Sequence, residues 1–287
     1  MLVFIIPLKS PKISNSWSHV SRLFERCVRS VCNQTSPDFR CLVVCNEKPD
    51  IKFSHPHIEY LEVDLPVIKL DPKQIYKTPR RYCEERNKDK ERKILMGMVH
   101  ARKFEPSYVM PVDADDCVSK RLAEFVNHNS QCNGWFISDG YQYSEGSRRV
   151  YLRKGDFNVK CGSCNILRYD LLHFPKNINY DRPRRILPGH HDIKKFMRRQ
   201  ETPLEPLPFP GAIYVTEHGE NNYYQKGFDP DNPRLKYSHP FLTRMKKVYK
   251  IFNSRPLSPT DVAEFSFYDL QERATVGGIS TVKSLMA

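Results

Sequence analysis

The sequence predicts an α/β protein with a mainly parallel central sheet flanked by helices, followed by a helical or irregular C-terminal extension. Three observations carry the prediction. Short apolar runs of strand length alternate with longer segments of helical spacing through the first half of the chain. The apolar runs give way to polar or charged residues, as parallel strands do where they open onto a ligand crevice. No glycine-rich phosphate loop follows the first run, which argues against a dinucleotide-binding Rossmann domain and a P-loop enzyme.

Leu2-Val3-Phe4-Ile5-Ile6-Pro7 reads as the first strand: it has no basic leader and ends in proline, so a strand is expected here rather than a signal peptide. Val20, Leu23, Phe24, Cys27, Val28, Val31 and Cys32 then recur on one helical face. A buried strand follows at Cys41 to Cys45 and another around Ile58 to Val63. Ile94, Leu95, Met98 and Val99 line a helix that leads into the strand Tyr108-Val109-Met110-Pro111-Val112. Four strand ends are therefore expected at one crevice: Pro7-Leu8-Lys9, Asn46-Glu47-Lys48, Asp64 and Asp113-Ala114-Asp115-Asp116. Later, Trp135 to Gly140 and Ala212 to Thr216 suggest strands, and Ile193 to Met197 a short helix.

With 287 residues the chain can form one large domain or two small ones, and 46 Lys+Arg against 33 Asp+Glu give a net charge of +13. That charge favours anionic ligands: a nucleotide diphosphate, nucleic acid or an acidic membrane face. The RNP pattern, paired zinc-finger spacing and basic-zipper heptads are absent, so no nucleic-acid partner is expected. A basic concentration at Lys77, Arg80, Arg81, Arg86, Lys88, Lys90, Arg92 and Lys93 is interleaved with acids and reads as a solvated helix face or loop. The nine cysteines are scattered among apolar neighbours, as reduced thiols of a cytoplasmic protein would be, and Cys161-x-x-Cys164 has no second pair to complete a zinc site. No apolar run approaches the roughly 20 residues that span a bilayer.

The strongest chemical signal is Asp113-Ala114-Asp115-Asp116. Alternation along an extended strand puts Asp113 and Asp115 on one side, where both can reach one hard cation. Aspartates at a strand end also cap helices, and Asp116 with Ser119 could start the helix suggested by Lys120 to Val126. From these residues alone both readings stand.

Phe4-Ile5-Ile6-Pro7, the helix ending Arg26-Cys27-Val28-Arg29-Ser30-Val31-Cys32-Asn33-Gln34-Thr35, the strand Leu42-Val43-Val44-Cys45-Asn46-Glu47 and Val112-Asp113-Ala114-Asp115-Asp116 together resemble the family-2-like glycosyltransferases of the GT-A fold. The resemblance covers roughly the first 220 residues. It implies a catalytic domain over residues 1–225, with a nucleotide-sugar-binding half (1–116) and an acceptor-binding half (117–225); residues 226–287 read as a C-terminal extension outside the resemblance. Asp113 and Asp115, with Ala114 between them, match the DxD motif that holds Mn²⁺ or Mg²⁺ and, through it, the diphosphate of a UDP-sugar. Pro7 and Lys9 would face the nucleoside. Asn46 stands where the family often has an acidic residue on the base, and Asp64 would share that contact. Lys93, on the helix before the DxD strand, would reach the pyrophosphate, unless it is one more solvent-facing lysine.

Lys160 to Asn165 resembles the family's small-residue segment beneath sugar and acceptor, or else forms an ordinary tight turn. Asp192 falls at the position of the general base of inverting members, with His191 where that pair has glutamate; capping the following helix is the alternative. His218, in the polar turn Glu217-His218-Gly219-Glu220-Asn221, would be the third metal ligand, unless it is a surface histidine. The acceptor would be a hydroxyl of a glycan, a lipid-linked or a small molecule. Phe241, Leu242, Met245, Val248, Tyr249 and Phe252 form an apolar face beside basic residues; through 240–255 the enzyme could touch an acidic membrane, or the helix could dock on the catalytic domain. The tail from Thr275 is expected to be loose. A metal-dependent phosphoesterase or nuclease, and a non-catalytic nucleotide-sugar-binding protein, are the alternatives.

Overall fold

The computed structural model describes residues 1–66, 79–220, 245, 248–250 and 252–270; for 79–86 only the backbone is described. Two sheets organise the chain. The first contains β1 (Leu2–Pro7), β2 (Phe39–Cys45), β3 (Ile58–Glu62), β4 (Tyr108–Pro111), β6 (Gly134–Phe136), β9 (Asn165–Arg168) and β10 (Glu205–Pro206), in the order β3-β2-β1-β4-β9-β6-β10. The second contains β5 (Cys117–Val118), β7 (Gly140–Ser144), β8 (Arg149–Arg153), β11 (Ala212–Thr216) and β12 (Ser254–Pro256), in the order β12-β8-β7-β11-β5.

β1 is buried along its whole length, as a strand covered on both faces must be. It pairs in parallel with β2 on one side and β4 on the other, and β2 pairs in parallel with β3. β9 runs antiparallel to both of its neighbours, so the sheet is mixed but mainly parallel, as the sequence predicts. The chain winds from β1 outward through β2 and β3, then returns to the far side of β1 as β4. Ligand crevices in open α/β sheets form where the winding direction reverses, which here is beyond the carboxyl ends of β1 and β4.

Helix α1 (Trp17–Val31) is capped by Ser16, whose side chain accepts from the His19 N–H, and it buries the apolar face read from the sequence. Helix α2 (Pro79–His100) rests on β1 and β2. It approaches so closely that a Cβ at Gly97 would lie 2.5 Å from Ile5 Cγ2. Helices α3 (Leu122–His128), α4 (Phe157–Lys160), α5 (His190–Arg199) and α6 (Pro259–Phe265) follow in the chain.

Three expectations change. Trp135 to Gly140 is not one strand: β6 ends at Phe136 in the first sheet and β7 starts at Gly140 in the second. Asp116 caps no helix, because β5 follows it directly and α3 begins only at Leu122. The basic stretch is not a solvated face at Arg92 and Lys93, which are buried, while Lys77 and the side chains of Arg80, Arg81 and Arg86 lie outside the described residues.

The C-terminal segment, in its described part, packs against the body of the protein. β12 pairs with β8, and Phe265 and Phe267 share a core with Tyr143, Val150 and Ile213. Arg26 of α1, fully buried, donates to Glu145 and to the Tyr268 carbonyl, locking this segment onto the first helix. Phe241, Leu242 and the tail from Thr275 lie outside the described residues. Met245, Val248, Tyr249 and Phe252 are exposed, Phe252 at 83%, so these four do not dock on the body of the protein. No described helix is long and apolar enough to cross a membrane.

Candidate active site

The aspartate segment is a turn, not a continuation of β4. β4 ends at Pro111, and the Asp116 N–H donates to the Asp113 carbonyl at 3.0 Å. The turn, rather than strand alternation, gathers the carboxylates: Asp113, Asp115 and Asp116 can each offer an oxygen within 4.8 Å of the others.

They are not equivalent. Asp116 is fully buried and both of its oxygens are engaged: Oδ1 accepts from the Val215 N–H at 3.0 Å, and Oδ2 from Ser163 Oγ at 2.7 Å and Cys161 Sγ at 3.1 Å. Burial, then the charges of Asp115 and Asp113, push its carboxyl well above the usual range. Asp116 therefore fastens the turn to β11 and to the 161–163 segment. Ser163 Oγ also accepts from the Asp113 N–H at 2.8 Å, so the small-residue segment holds the turn from below. Cys161 and Cys164 are buried free thiols, and the other described cysteines are free and buried or half-buried.

Asp113 and Asp115 stay partly exposed, at 20% and 27%. Lys90 Nζ lies 2.6 Å from Asp113 Oδ1; desolvation works against the ammonium, but the Asp113 charge and hydrogen bond outweigh it and raise its pKa. Gly162 makes this pair possible, because a Cβ there would lie 2.5 Å from Asp113 Oδ2 and 2.9 Å from Lys90 Nζ.

His218 Nε2 lies 2.9 Å from Asp115 Oδ2. Burial opposes ionisation of Asp115, but the His218 contact and Lys90 hold its carboxyl below the usual range. The Glu220 N–H donates to His218 Nδ1 at 3.3 Å, so the ring proton belongs on Nε2, facing Asp115. His218 thus stands against Asp115 at charge-contact distance, with its buried Nε2 in no hydrogen bond.

Glu220, absent from the expected site, anchors this turn. It accepts from Lys9 Nζ at 2.7 Å and from the N–H groups of Asn15 and Ser16 at 3.2 and 2.8 Å, joining the 217–220 turn to the start of α1. His19 adds a contact from its Nε2 to the His218 carbonyl at 3.0 Å.

A cavity of ≈ 740 Å³ opens over these residues, within the size range of ligand pockets. Pro7, Lys9, Lys90, Asp113, Ala114 and Asp115 line it, as do Asn165, His190 and His191 on the opposite side of the sequence. The other predicted residues fall elsewhere. Lys93 is fully buried and donates to the Leu8 carbonyl and to Asp89, both at 2.8 Å, so it braces the end of β1 and Lys90 takes the cavity position. Asn46 donates to the Val63 and Leu65 carbonyls at 3.2 and 3.1 Å, tying β2 to the chain after β3. Asn46 and the exposed Asp64 are not among the walls of the cavity. Asp192 sits in the first turn of α5, 61% exposed, with His191 Nε2 at 3.3 Å; its neighbours line the cavity and it does not. A second depression, of ≈ 840 Å³ beside residues 176–181, holds one carboxylate, Asp181, already bound to Arg92.

The donor set suits a hard divalent cation. Asp113 and Asp115 offer oxygen ligands at a cavity wall, and Lys90 already stands on Asp113 as a positive charge. Fold and site thus define an α/β protein with a carboxylate-lined cavity at a topological switch point, able to hold an anionic ligand through a cation.

No protein-family model matches the chain, and no curated protein matches it. Among solved structures it is similar to S. aureus TarS 1–349 in complex with UDP (12% identity, TM-score 0.42, 75% of this chain and 60% of that one). It is likewise similar to S. aureus TarS 1–349 in complex with UDP-GlcNAc (13%, TM-score 0.43, 78% and 61%). A further likeness is to the bifunctional IspDF of Campylobacter jejuni (12%, TM-score 0.33, 83% and 53%). The chain thus spans about 60% of the TarS 1–349 structures, and at these identities and TM-scores the likenesses carry no functional argument.

Proposed function

We propose that the protein is a metal-dependent glycosyltransferase that moves a sugar from a nucleotide-sugar donor, a UDP-sugar, to a hydroxyl of a glycan, lipid-linked or small-molecule acceptor, with inversion. The observation that carries this reading is the Asp113–Asp115 turn, balanced by Lys90, in a cavity at the β1/β4 switch point. A bound Mn²⁺ or Mg²⁺ supplies Lewis acidity and neutralises charge on the diphosphate. Asp113 and Asp115 would hold it, His218 beside Asp115 would be the third ligand, and Lys90 would add positive charge where the leaving nucleoside diphosphate accumulates negative charge. Pro7 and Lys9, which line the cavity, would face the nucleoside.

Asp192 is assigned as the base that takes the acceptor proton, carried on the turn of α5 whose neighbours His190, His191 and Ile193 line the cavity. A two-metal phosphoesterase needs a second ligand set, and among the described residues the aspartate turn is the group found. The exposed Met245, Val248, Tyr249 and Phe252 support peripheral contact with an acidic membrane on its cytoplasmic side.

The test is calorimetric titration of UDP with and without Mn²⁺, on the wild type and an Asp113→Ala, Asp115→Ala double variant. Metal-dependent binding that the variant loses is expected. Folded wild type that ignores UDP, GDP and other nucleotides overturns the transferase and brings phosphodiester hydrolysis forward. With donor and acceptor in hand, Asp192→Asn should lower kcat at little change in KM, and retained anomeric configuration in the product would remove Asp192 from the base role.

A further inference from the structure

Two side chains that line the cavity each keep a buried hydrogen-bond acceptor with no partner: Asn165 at Oδ1 and His190 at Nε2. Neither is a loose group waiting to rotate. Asn165 Nδ2 donates to the His190 carbonyl at 3.0 Å and contacts Cys164 Sγ at 3.2 Å, which assigns the amide orientation and leaves Oδ1 as the bare end. The His190 ring donates to the backbone of Val159, so its proton sits on Nδ1 and Nε2 carries a free lone pair. Burial, then the positive charge of Lys90 and the neighbouring His191, push this imidazole down to about 3, so at neutral pH it accepts and does not donate through Nε2.

Asn165 opens β9 and His190 opens α5, and the hydrogen bond between them makes one unit of the two. Buried acceptors are rarely left unpaired, and two side by side on a cavity wall point to a ligand that brings protons to them. Phosphate and carboxylate oxygens bring none; neighbouring hydroxyls do.

We infer that Asn165 and His190 form a polyol subsite, in which Asn165 Oδ1 and His190 Nε2 each accept a hydrogen bond from a hydroxyl of a sugar. This rests on the transferase reading for the identity of the ligand but not for its chemistry. The hydroxyls belong either to the transferred sugar or to the acceptor, and binding experiments separate the two.

Wild type, His190→Phe and Asn165→Leu are titrated with UDP, UDP-glucose, UDP-galactose and UDP-N-acetylglucosamine in Mg²⁺. Saturation-transfer NMR then follows free glucose and glycerol, with and without Mg²⁺–UDP. Unchanged UDP affinity in a variant shows that its site is intact. A neutral hydrogen bond of this kind contributes roughly 3- to 10-fold in affinity. If the hydroxyls are the donor's, at least one UDP-sugar binds the wild type more tightly than UDP, and each variant loses about that factor. If they are the acceptor's, UDP-sugar affinities hold while the glucose or glycerol signal seen with wild type disappears. Variants that keep UDP binding and alter neither readout overturn the subsite, with a bound water then filling the pair. A wild type that binds no UDP overturns the transferase instead, and the nucleotide-free sugar signals still decide whether this pair binds polyols.

Discussion

Replacing Gly162 with alanine tests the site at its tightest point. The added Cβ would stand 2.5 Å from Asp113 Oδ2 and 2.9 Å from Lys90 Nζ. Lys90 is long and can swing away. Asp113 is short, its N–H is held by Ser163, and its carbonyl accepts from the Asp116 N–H and from Cys27 Sγ, so the carboxylate must turn about its own χ angles to escape. Restoring ordinary van der Waals contact moves that oxygen by about 0.9 Å, from the 2.5 Å approach to 3.4 Å. Displacing one of two carboxylate ligands on that scale resembles losing the support of a metal ligand, which costs about 10- to 100-fold in affinity. Overpacking one methyl at a partly exposed wall costs about 1–2 kcal/mol of stability, so the fold survives.

Mn²⁺ binding by electron paramagnetic resonance, UDP binding by calorimetry in Mn²⁺ and thermal unfolding should then show Gly162→Ala folded but at least 10-fold weaker for the metal. Gly189→Ala, whose Cβ would meet its nearest neighbour, His191 Cε1, at an ordinary 3.4 Å, should match wild type. A Gly162→Ala protein that binds Mn²⁺ and UDP like wild type refutes the argument, because Asp113 then either moves without consequence or does not hold the metal.

Lys93→Met should cost about 2–4 kcal/mol, since it strands Asp89 and the Leu8 carbonyl inside the protein, whereas Lys90→Met should be nearly neutral in thermal unfolding and weaken UDP binding in Mn²⁺; the reverse pattern would return the phosphate-facing role to Lys93. Arg26→Met leaves Glu145 without its buried partner and should destabilise by about 3–5 kcal/mol in chemical denaturation, with Arg26→Met/Glu145→Leu recovering part of the loss. Asp261 resists ionisation through burial but gains more from Arg255 and Ser258, which hold its carboxyl down to about 2. A folded-state pKa below the unfolded value means stability that is present above about pH 4 and lost as pH falls through 2. Asp261→Asn should therefore cost about 2 kcal/mol at pH 7 and nearly nothing at pH 2, read from unfolding at the two pH values; an equal cost at both would locate the effect in lost packing instead.

What could be read from the sequence, and what could not, follows the range of the interactions. β1 to β4, β11, α1 and the aspartates depend on local pattern, and the chain shows them where periodicity and strand-end polarity put them, whereas Trp135 to Gly140 divides between two sheets. Glu220 could not be read this way: it earns its place through Lys9, Asn15 and Ser16, some 200 residues away, and no spacing announces that. The unpartnered acceptors of Asn165 and His190 are equally invisible until β9 and α5 are brought together.

The exchange of Lys93 for Lys90 is the instructive case, because the signal was present. Gly97 faces the sheet, touching Ile5 and Val44. Positions four and seven residues earlier lie on that same helical face, and these are Lys93 and Lys90. Because α2 runs back against β1, moving toward its N-terminus travels toward the carboxyl ends of the strands. Lys93 reaches the backbone just past β1, at Leu8, and is still beneath the protein. Three residues further, roughly 4.5 Å along the axis, the same face has cleared the sheet and overhangs the crevice. A lysine there meets Asp113 and the cavity; a lysine one turn later can only brace the strand that ends beside it.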